Sequence, residues 1–341
     1  MILIHPGDLV LSGINAIKGA IAIYDKVATA PIAATIHYGA YIPNDERVDV
    51  RFLWWLLRSE TFRKILLQYL PGGIKSELKA KRFLPVPVPL PPVPEQQRIV
   101  ARIEEMARRV EEARGLRHEA VEEAEALMGA AIVSAFSSGK KRGWTDFTLG
   151  DITTDIRYGT SEKAFDEPSG VPVLRMGNIH DGKLSLADLK YIDLPVNELD
   201  RLRLRGGDIL VNRTNSAELV GKCAVFTEPG EFVYASYIIR LRLDLQKAVP
   251  RLVAAFINSP IGRQYMFDQR KQMTGQANVN SQKLKALSLS LPPLPEQRRI
   301  VAYLGGLQAK VDALRRLQVE TQKELDALMP SVLAKAFAGE L

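Results

Sequence analysis

Metal or nucleophilic chemistry would have to start from His5, His37, His118, His180 and the single cysteine, Cys223. No metal-like spacing joins the histidines, and one cysteine makes neither a disulfide scaffold nor a cysteine zinc site. No G-x-x-x-x-G-K-[ST] run cradles a phosphate, and no glycine-rich cofactor loop stands out. Asn258-Ser259-Pro260-Ile261 departs from an N-P-P-Y motif at one proline and the aromatic, and reads as a kink within or after a helix. Cys223 reads as a buried strand residue. What remains is hydrogen-bonding and cationic chemistry in three glycine- or asparagine-bearing stretches. The first carries Arg157, Tyr158, Thr160 and Lys163; the second Arg213 and Asn215; the third Gln276 and Asn278. Lys271 and Lys283 lie near the third. A denser basic cluster, Lys75, Lys79, Lys81 and Arg82, sits before residue 93. Each stretch reads equally as an ordinary solvated loop.

The elements that must position these residues are repeated. Leu90-Pro91-Pro92-Val93-Pro94-Glu95-Gln96-Gln97-Arg98-Ile99-Val100 returns, 201 residues later, as Leu291-Pro292-Pro293-Leu294-Pro295-Glu296-Gln297-Arg298-Arg299-Ile300-Val301. The alignment continues without a gap to Phe136 and Phe337, with about 20 identical positions. Proline is welcome in a first helical turn and the following glutamate suits the helix dipole, so helices are predicted from about 94 and 295. Their apolar positions step by 4 and 3 in both copies. One seam runs Ile99, Ile103, Met106, Val110, Ala113, Arg117, Ala120, Ala124, Leu127, Ala131. The other runs Ile300, Leu304, Leu307, Val311, Leu314, Gln318, Thr321, Leu325, Leu328, Val332. A sustained 3.5-residue period is a coiled-coil signature. Arg117 and Gln318 occupy the same seam position and read either as a solvated gap or as a register pin. The linker after the first helix is too short to return, so the second helix runs back antiparallel, with the two modules expected at opposite ends about a pseudo-two-fold axis. About 43 residues span roughly 65 Å.

Net charge is +7 and pI about 9.3, with the excess concentrated outside the two helices. Such a bias permits nucleic-acid binding without establishing it. No apolar run is long enough for a membrane span, no signal peptide opens the chain, and cysteine usage fits a reducing cytoplasm. Residues 144–292 read as an α+β domain: short strands at 147–152, 171–175, 208–211, 223–226 and 237–243, then a helix over about 250–270. Residues 1–92 match only its later part. Gly7-Asp8-Leu9-Val10 pairs with Gly207-Asp208-Ile209-Leu210, and the helix of Trp54 and Trp55 pairs with that of Ala254 and Ala255. The two tryptophans read as core or interface rather than as base-stacking rings.

The doubled proline–glutamate–glutamine motif, each copy followed by a helix, the second ending Ala334-Lys335-Ala336-Phe337-Ala338-Gly339-Glu340-Leu341, resembles the spacer of specificity subunits of type I restriction–modification systems. Gly206-Gly207-Asp208-Ile209-Leu210-Val211-Asn212-Arg213-Thr214, Gly170-Val171-Pro172-Val173-Leu174-Arg175 and Gly275-Gln276-Ala277-Asn278-Val279-Asn280 are similar to that family's target-recognition domains. The resemblance implies two mixed α+β recognition domains, the first partial, joined by two long antiparallel helices forming a coiled-coil spacer. The expected divisions are residues 1–92, 93–140, 144–292 and 293–341. It implies a non-catalytic reader of a bipartite double-stranded DNA site that scaffolds two modification (methyltransferase) subunits and motor-nuclease restriction subunits. S-adenosylmethionine, ATP and Mg are then expected on those partners rather than on this chain. Family members usually carry two full recognition domains. A start site placed too late, gene decay and a shortened variant are the three explanations of the short first module. An alternative function is a truncated or regulatory coiled-coil scaffold that binds the modification subunit without reading a full site.

Within that resemblance, cations near phosphates supply affinity and polar side chains at base edges supply sequence reading. The expected DNA contacts are Arg157, Tyr158, Thr160, Lys163, Arg213, Asn215, Lys271, Gln276, Asn278 and Lys283, with Lys75, Lys79 and Arg82 in the first module. The expected spacer and partner interface comprises Ile99, Ile103, Val110, Arg117, Leu127, Ile300, Leu304, Val311, Gln318 and Leu328.

Overall fold

The computed structural model describes residues 1–15, 19–24, 30–43, 46–69, 80–137, 143–215, 220–269, 271–273 and 276–341. They divide into two compact units, Met1–Ala120 with Leu314–Leu341, and Val121–Ala313. Both long helices cross that division: the first is Val93–Ser137 and the second Leu294–Ala338, each starting one residue before its predicted position.

The first unit is built on a three-stranded antiparallel sheet in the order Ile21–Ile23, Leu9–Ser12, Tyr38–Tyr41. Strand Ile2–Ile4 pairs separately with Ile32–Ala34. Helix Val50–Arg58 begins where the Asp49 carboxylate accepts from the Arg51 and Phe52 N–H groups, at 2.8 and 3.0 Å. It ends where the Ser59 hydroxyl donates to the Leu56 carbonyl and accepts from the N–H of Phe62, in the first turn of helix Glu60–Tyr69. Phe52, Trp55, Leu56, Phe62 and Leu66 pack with Leu9 and Leu11, and with Ile99 and Ile103 from the first long helix. Trp55 is buried. Trp54 donates its indole N–H to the Ile21 carbonyl at 2.9 Å, so both tryptophans belong to the packing rather than to an open stacking face.

The second unit repeats that plan and adds to it. Its main antiparallel sheet runs Cys223–Val225, Ile209–Asn212, Ile238–Leu243, Thr153–Tyr158. The first three strands match the three of the other unit in order, and Thr153–Tyr158 is extra. Gly7 and Gly207, both at φ 95°, make the same turn before Asp8 and Asp208; a side chain there would be strained. A second sheet orders Lys190–Ile192, Val171–Leu174 and Val233–Tyr234, the last pair parallel. Strand Thr145–Thr148 pairs with Ser288–Leu291. The predicted strand over 147–152 is therefore interrupted by a turn, in which the Asp151 carboxylate takes the Thr148 N–H at 2.7 Å. The predicted helix over 250–270 is two helices, Pro250–Asn258 and Pro260–Gln269, broken where Ser259 repeats the bonds of Ser59.

The repeated motif has a clear physical purpose. Gln96 and Gln297 are almost wholly buried. Gln297 Oε1 accepts from the Val249 N–H at 2.8 Å, and its amide donates to the carbonyls of Lys247 and Pro292 at 2.8 and 2.9 Å. Gln96 makes the equivalent set with Asp49, Arg47 and Pro91 at 2.8, 2.7 and 2.7 Å. Each glutamine thus pins the start of a long helix to the segment entering a shorter one, Val50–Arg58 in the first unit and Pro250–Asn258 in the second. Buried backbone groups need such partners.

Within each unit the long helices pack antiparallel. In the first, Arg98 meets Leu341 and Arg114 meets Asp326; in the second, Ile132 and Phe136 share a core with Ile300 and Leu304. The heptad seam holds at Ile99, Ile103, Val110, Ile300, Leu304 and Val311, all buried. It fails at the equivalent pair Leu127 and Leu328, which are 65% and 48% exposed. Burial shifts instead to Ile132 and Phe136, and to Leu333 and Ala336. The last turns of each helix pack on the core of a unit, as Phe136 does on Phe256 and Phe337 on Phe52. That demands a different face from the helix–helix seam.

Candidate nucleic-acid interface

Three segments separated in sequence meet in one small antiparallel sheet of the second unit: Thr214–Asn215, Gln276–Asn278 and Lys271–Met273. Asn278 pairs with Thr214 on one side and Lys271 on the other; Asn215 and Gln272 both face Ala277. Four expected contact residues, Asn215, Lys271, Gln276 and Asn278, therefore share one strand set.

Neighbouring residues fasten this sheet to the core. The Arg213 carbonyl accepts from the Val279 N–H at 3.0 Å, and the Arg213 N–H donates to the Tyr237 carbonyl at 2.9 Å. Val279 is buried in the main core. Asn280 then caps helix Ser281–Lys285, its side chain accepting from the Lys283 N–H at 2.9 Å. The Tyr158 hydroxyl accepts from the Ser281 N–H at 2.8 Å and donates to the Ser281 Oγ at 3.1 Å. The Arg213 guanidinium lies 4.7 Å above the Tyr158 ring. Tyr158, Arg213 and the small sheet are thus one connected surface.

The other expected residues fall into distinct settings. Arg157 is tied to Asp155 at 2.9 Å, while Asp155 also pairs with the buried Arg240. Burial pushes the Asp155 carboxyl up, but the Arg157 hydrogen bond and the charges of Arg240 and Arg157 outweigh it and hold the group below the usual carboxylate range. Arg240 lies over the Tyr234 ring, whose phenol is pushed up to about 12 by burial. Arg242 grips the buried Asp208 with two bonds of 2.8 and 2.7 Å. Thr160 joins a parallel bridge to Ala235, and its hydroxyl accepts from the Glu162 N–H. Gly159 passes so close to this strand that a Cβ would sit 2.0 Å from the Tyr234 carbonyl. Lys163 is exposed. The Lys283 ammonium donates to the Gln269 carbonyl, stitching two helix ends together. In the first unit Arg82 is exposed on the short helix Ala80–Phe83, whereas Lys75 and Lys79 lie outside the described residues.

Sequence reading missed Ser281, Asn280, Asp155 and Arg240 here, and Gln96 and Gln297 in the frame. Asn280-Ser281 before Lys283 was a visible helix-start signal. The glutamines were visible as invariant positions of the repeat. The Asp155–Arg240 pair left no local trace, because its partners are 85 residues apart.

Among the described residues no group of three or more His, Cys, Asp or Glu is gathered to hold a metal ion. The Cys223 thiol is fully buried and burial pushes it up to about 12, which makes it a packing residue rather than a nucleophile. No helix of the described residues is long and apolar enough to cross a membrane.

The family profile described as "Type I restriction modification DNA specificity domain" matches residues 3–119 and 141–321, and the chain belongs to that family. It is a specificity subunit of a type I restriction–modification system, a subunit class of recognition rather than catalysis. The type I restriction enzyme EcoKI specificity subunit of Escherichia coli K12 is 26% identical over 355 residues, covering 99% of this chain and 75% of that protein. The StySPI specificity subunit of Salmonella potsdam is 25% identical with the same coverage. Among solved structures, the HsdS subunit from Thermoanaerobacter tengcongensis aligns with TM-score 0.62 and 27% identity, over 99% of this chain and 82% of that one. A chain from work on complex assembly and conformational transition of the type I R-M system aligns at TM-score 0.79 and 27% identity, over 99% and 83%.

Proposed function

We propose that the chain reads a two-part double-stranded DNA sequence, in the cytoplasm, on behalf of a type I complex. Its recognition units supply the contacts. Its long helices hold two modification subunits, which the motor-nuclease restriction subunits then join. S-adenosylmethionine, ATP and Mg act on those partners. The observation that carries this reading is the convergence of Asn215, Gln276, Asn278 and Lys271 on one small sheet beside Tyr158 and Arg213. Amide side chains match adenine edges and arginine matches guanine or phosphate. Lys163, Arg157, Thr160 and Lys283 are the further contacts proposed for this unit, and Arg82, with Lys75 and Lys79, those proposed for the first.

A second reading is that only one half-site is read. It is favoured by the gathering of the candidate contacts into the small sheet of the second unit alone among the described residues. Selection from randomised duplex DNA by the assembled specificity–modification complex separates the two. Two short conserved blocks at fixed spacing support the main reading; a single block supports the second; no enriched sequence overturns both.

A further inference from the structure

Arg213 differs from several other arginines of the second unit. Arg157, Arg175, Arg203, Arg240 and Arg242 of the same unit each pair with a carboxylate. Arg213 pairs with none among the described residues, and its Nε is buried without a hydrogen-bond partner. Its guanidinium rests on the Tyr158 ring, 4.7 Å from the centroid. Stacking on an aromatic face steadies a guanidinium but leaves its N–H donors unspent. A partly buried cation with unspent donors is stable where an external acceptor completes it.

Tyr158 has little left to offer a ligand itself. Its hydroxyl both accepts from and donates to Ser281, and one ring face is covered by Arg213. Its place in the chain is constrained from the other side by Gly159, where no side chain fits against Tyr234. The ring therefore joins strand Thr153–Tyr158, the turn at Asn280-Ser281 and the arginine that begins the small sheet.

We propose that Arg213 is the side chain of this surface that takes an acceptor atom from DNA, and that Tyr158 is its positioning residue rather than a DNA contact. The proposal rests on the DNA-reading function above. The shared chemistry is a guanidinium donating to an electronegative acceptor, supplied by a phosphate oxygen or by the N7 and O6 of guanine.

The test is binding of the assembled specificity–modification complex to its selected DNA, measured across salt concentrations. The variants are Arg213→Ala, Tyr158→Leu, Tyr158→Phe, and Arg213→Ala combined with each of the two Tyr158 substitutions. Arg213→Ala should weaken binding about tenfold. Tyr158→Leu should weaken it by a similar factor, and the double variant should be no weaker than Arg213→Ala alone, because Tyr158 acts through Arg213. Tyr158→Phe keeps the ring but severs both Ser281 bonds; it should weaken binding a few-fold, about threefold, and only when Arg213 is present. This variant carries the test if Tyr158→Leu fails to fold. A phosphate acceptor predicts equal loss on all sequences and a salt slope smaller by about one. A guanine acceptor predicts loss confined to sequences bearing that guanine, with the slope unchanged. Losses that multiply in either double variant, or full affinity in Tyr158→Phe, overturn the proposal. A wild-type complex without any sequence preference defeats the DNA-reading function itself, before a variant is made.

Discussion

Arg117 and Gln318 stand at equivalent positions of the two repeat copies, and each donates its side chain to the other's main-chain carbonyl. Gln318 Nε2 reaches the Arg117 carbonyl at 2.8 Å, and Arg117 Nη2 reaches the Gln318 carbonyl. Arg117 Nη1 adds a bond of 2.6 Å to the Thr321 hydroxyl. The reciprocity makes this the point where the repeat meets its own copy. A polar pair in an otherwise apolar seam costs stability and fixes register. Arg117→Ala should lower stability by about 1–3 kcal/mol, since Gln318 and Thr321 lose partners. Arg117→Met with Gln318→Leu should restore or exceed wild-type stability while loosening register. Thermal melts of wild type, Arg117→Ala and the double variant read the first effect. Cross-linking of cysteines placed across the seam reads the second, where one unchanged cross-link pattern argues against a register role.

Removing the buried glutamine clamp should be more severe than its position on a helix end suggests. Gln297→Leu strands the Val249 N–H and the carbonyls of Lys247 and Pro292. The expected cost is about 3 kcal/mol, a fall in melting temperature on the order of 10 °C. Gln297→Glu should be little better, because a carboxylate cannot donate to two carbonyls. By contrast, Arg299→Ala breaks only the exposed pair with Glu296 and should change stability by less than about 1 kcal/mol. Similar melts for Gln297→Leu and Arg299→Ala would argue against the clamp.

Asp155→Asn should leave Arg240 buried without its counter-charge, at a cost of about 3–5 kcal/mol. Arg157 and Arg240 hold the Asp155 carboxyl below its usual range despite the opposing effect of burial. Its contribution is therefore fully present above the unfolded value, about 4, and is lost as pH falls through the lower folded value. Chemical denaturation at pH 7 and at decreasing acid pH should show the gap between wild type and Asp155→Asn closing below about pH 4. A constant gap would mean that the carboxylate's charge is not what matters.

Cys223 offers a built-in reporter. Burial raises its thiol to about 12 from an ordinary value of 9.0. The unfolded chain deprotonates first as pH rises, so folded stability should decline from about pH 9 upward. At pH 8 a thiol reagent should label native protein only at the rate of local or global opening. Labelling in denaturant should be complete within the mixing time. Rapid native labelling would contradict the buried placement.

The spacer was highly legible in sequence, because both helices carry local signals: prolines, a glutamate in the first turn, and heptad steps. The broken helix after Asn258 was also legible, through Ser259-Pro260. Less legible was where each seam stops, since Leu127 and Leu328 fit the heptad as well as any neighbour. What displaces them is packing of Phe136 on Phe256 and Phe337 on Phe52, long-range contacts with no periodic signature. In the candidate interface several residues read as loops, Arg157, Tyr158, Asn215, Gln276 and Asn278, lie in strands instead, and their meeting depends on pairings between residues about 60 apart, such as Thr214 with Asn278. Arg213 has no carboxylate partner among the described residues, whereas Arg157 has one in Asp155, two residues earlier on the same strand.

The central claim is that this chain gives a type I complex its DNA sequence preference. The direct measurement is equilibrium binding of the complex to the duplex it selects, against a duplex of the same composition with the conserved bases scrambled, at physiological salt. The account predicts a preference of at least about a thousandfold, with binding to the selected duplex weakened by Arg213→Ala in the specificity chain alone. Equal affinity for the two duplexes would contradict it.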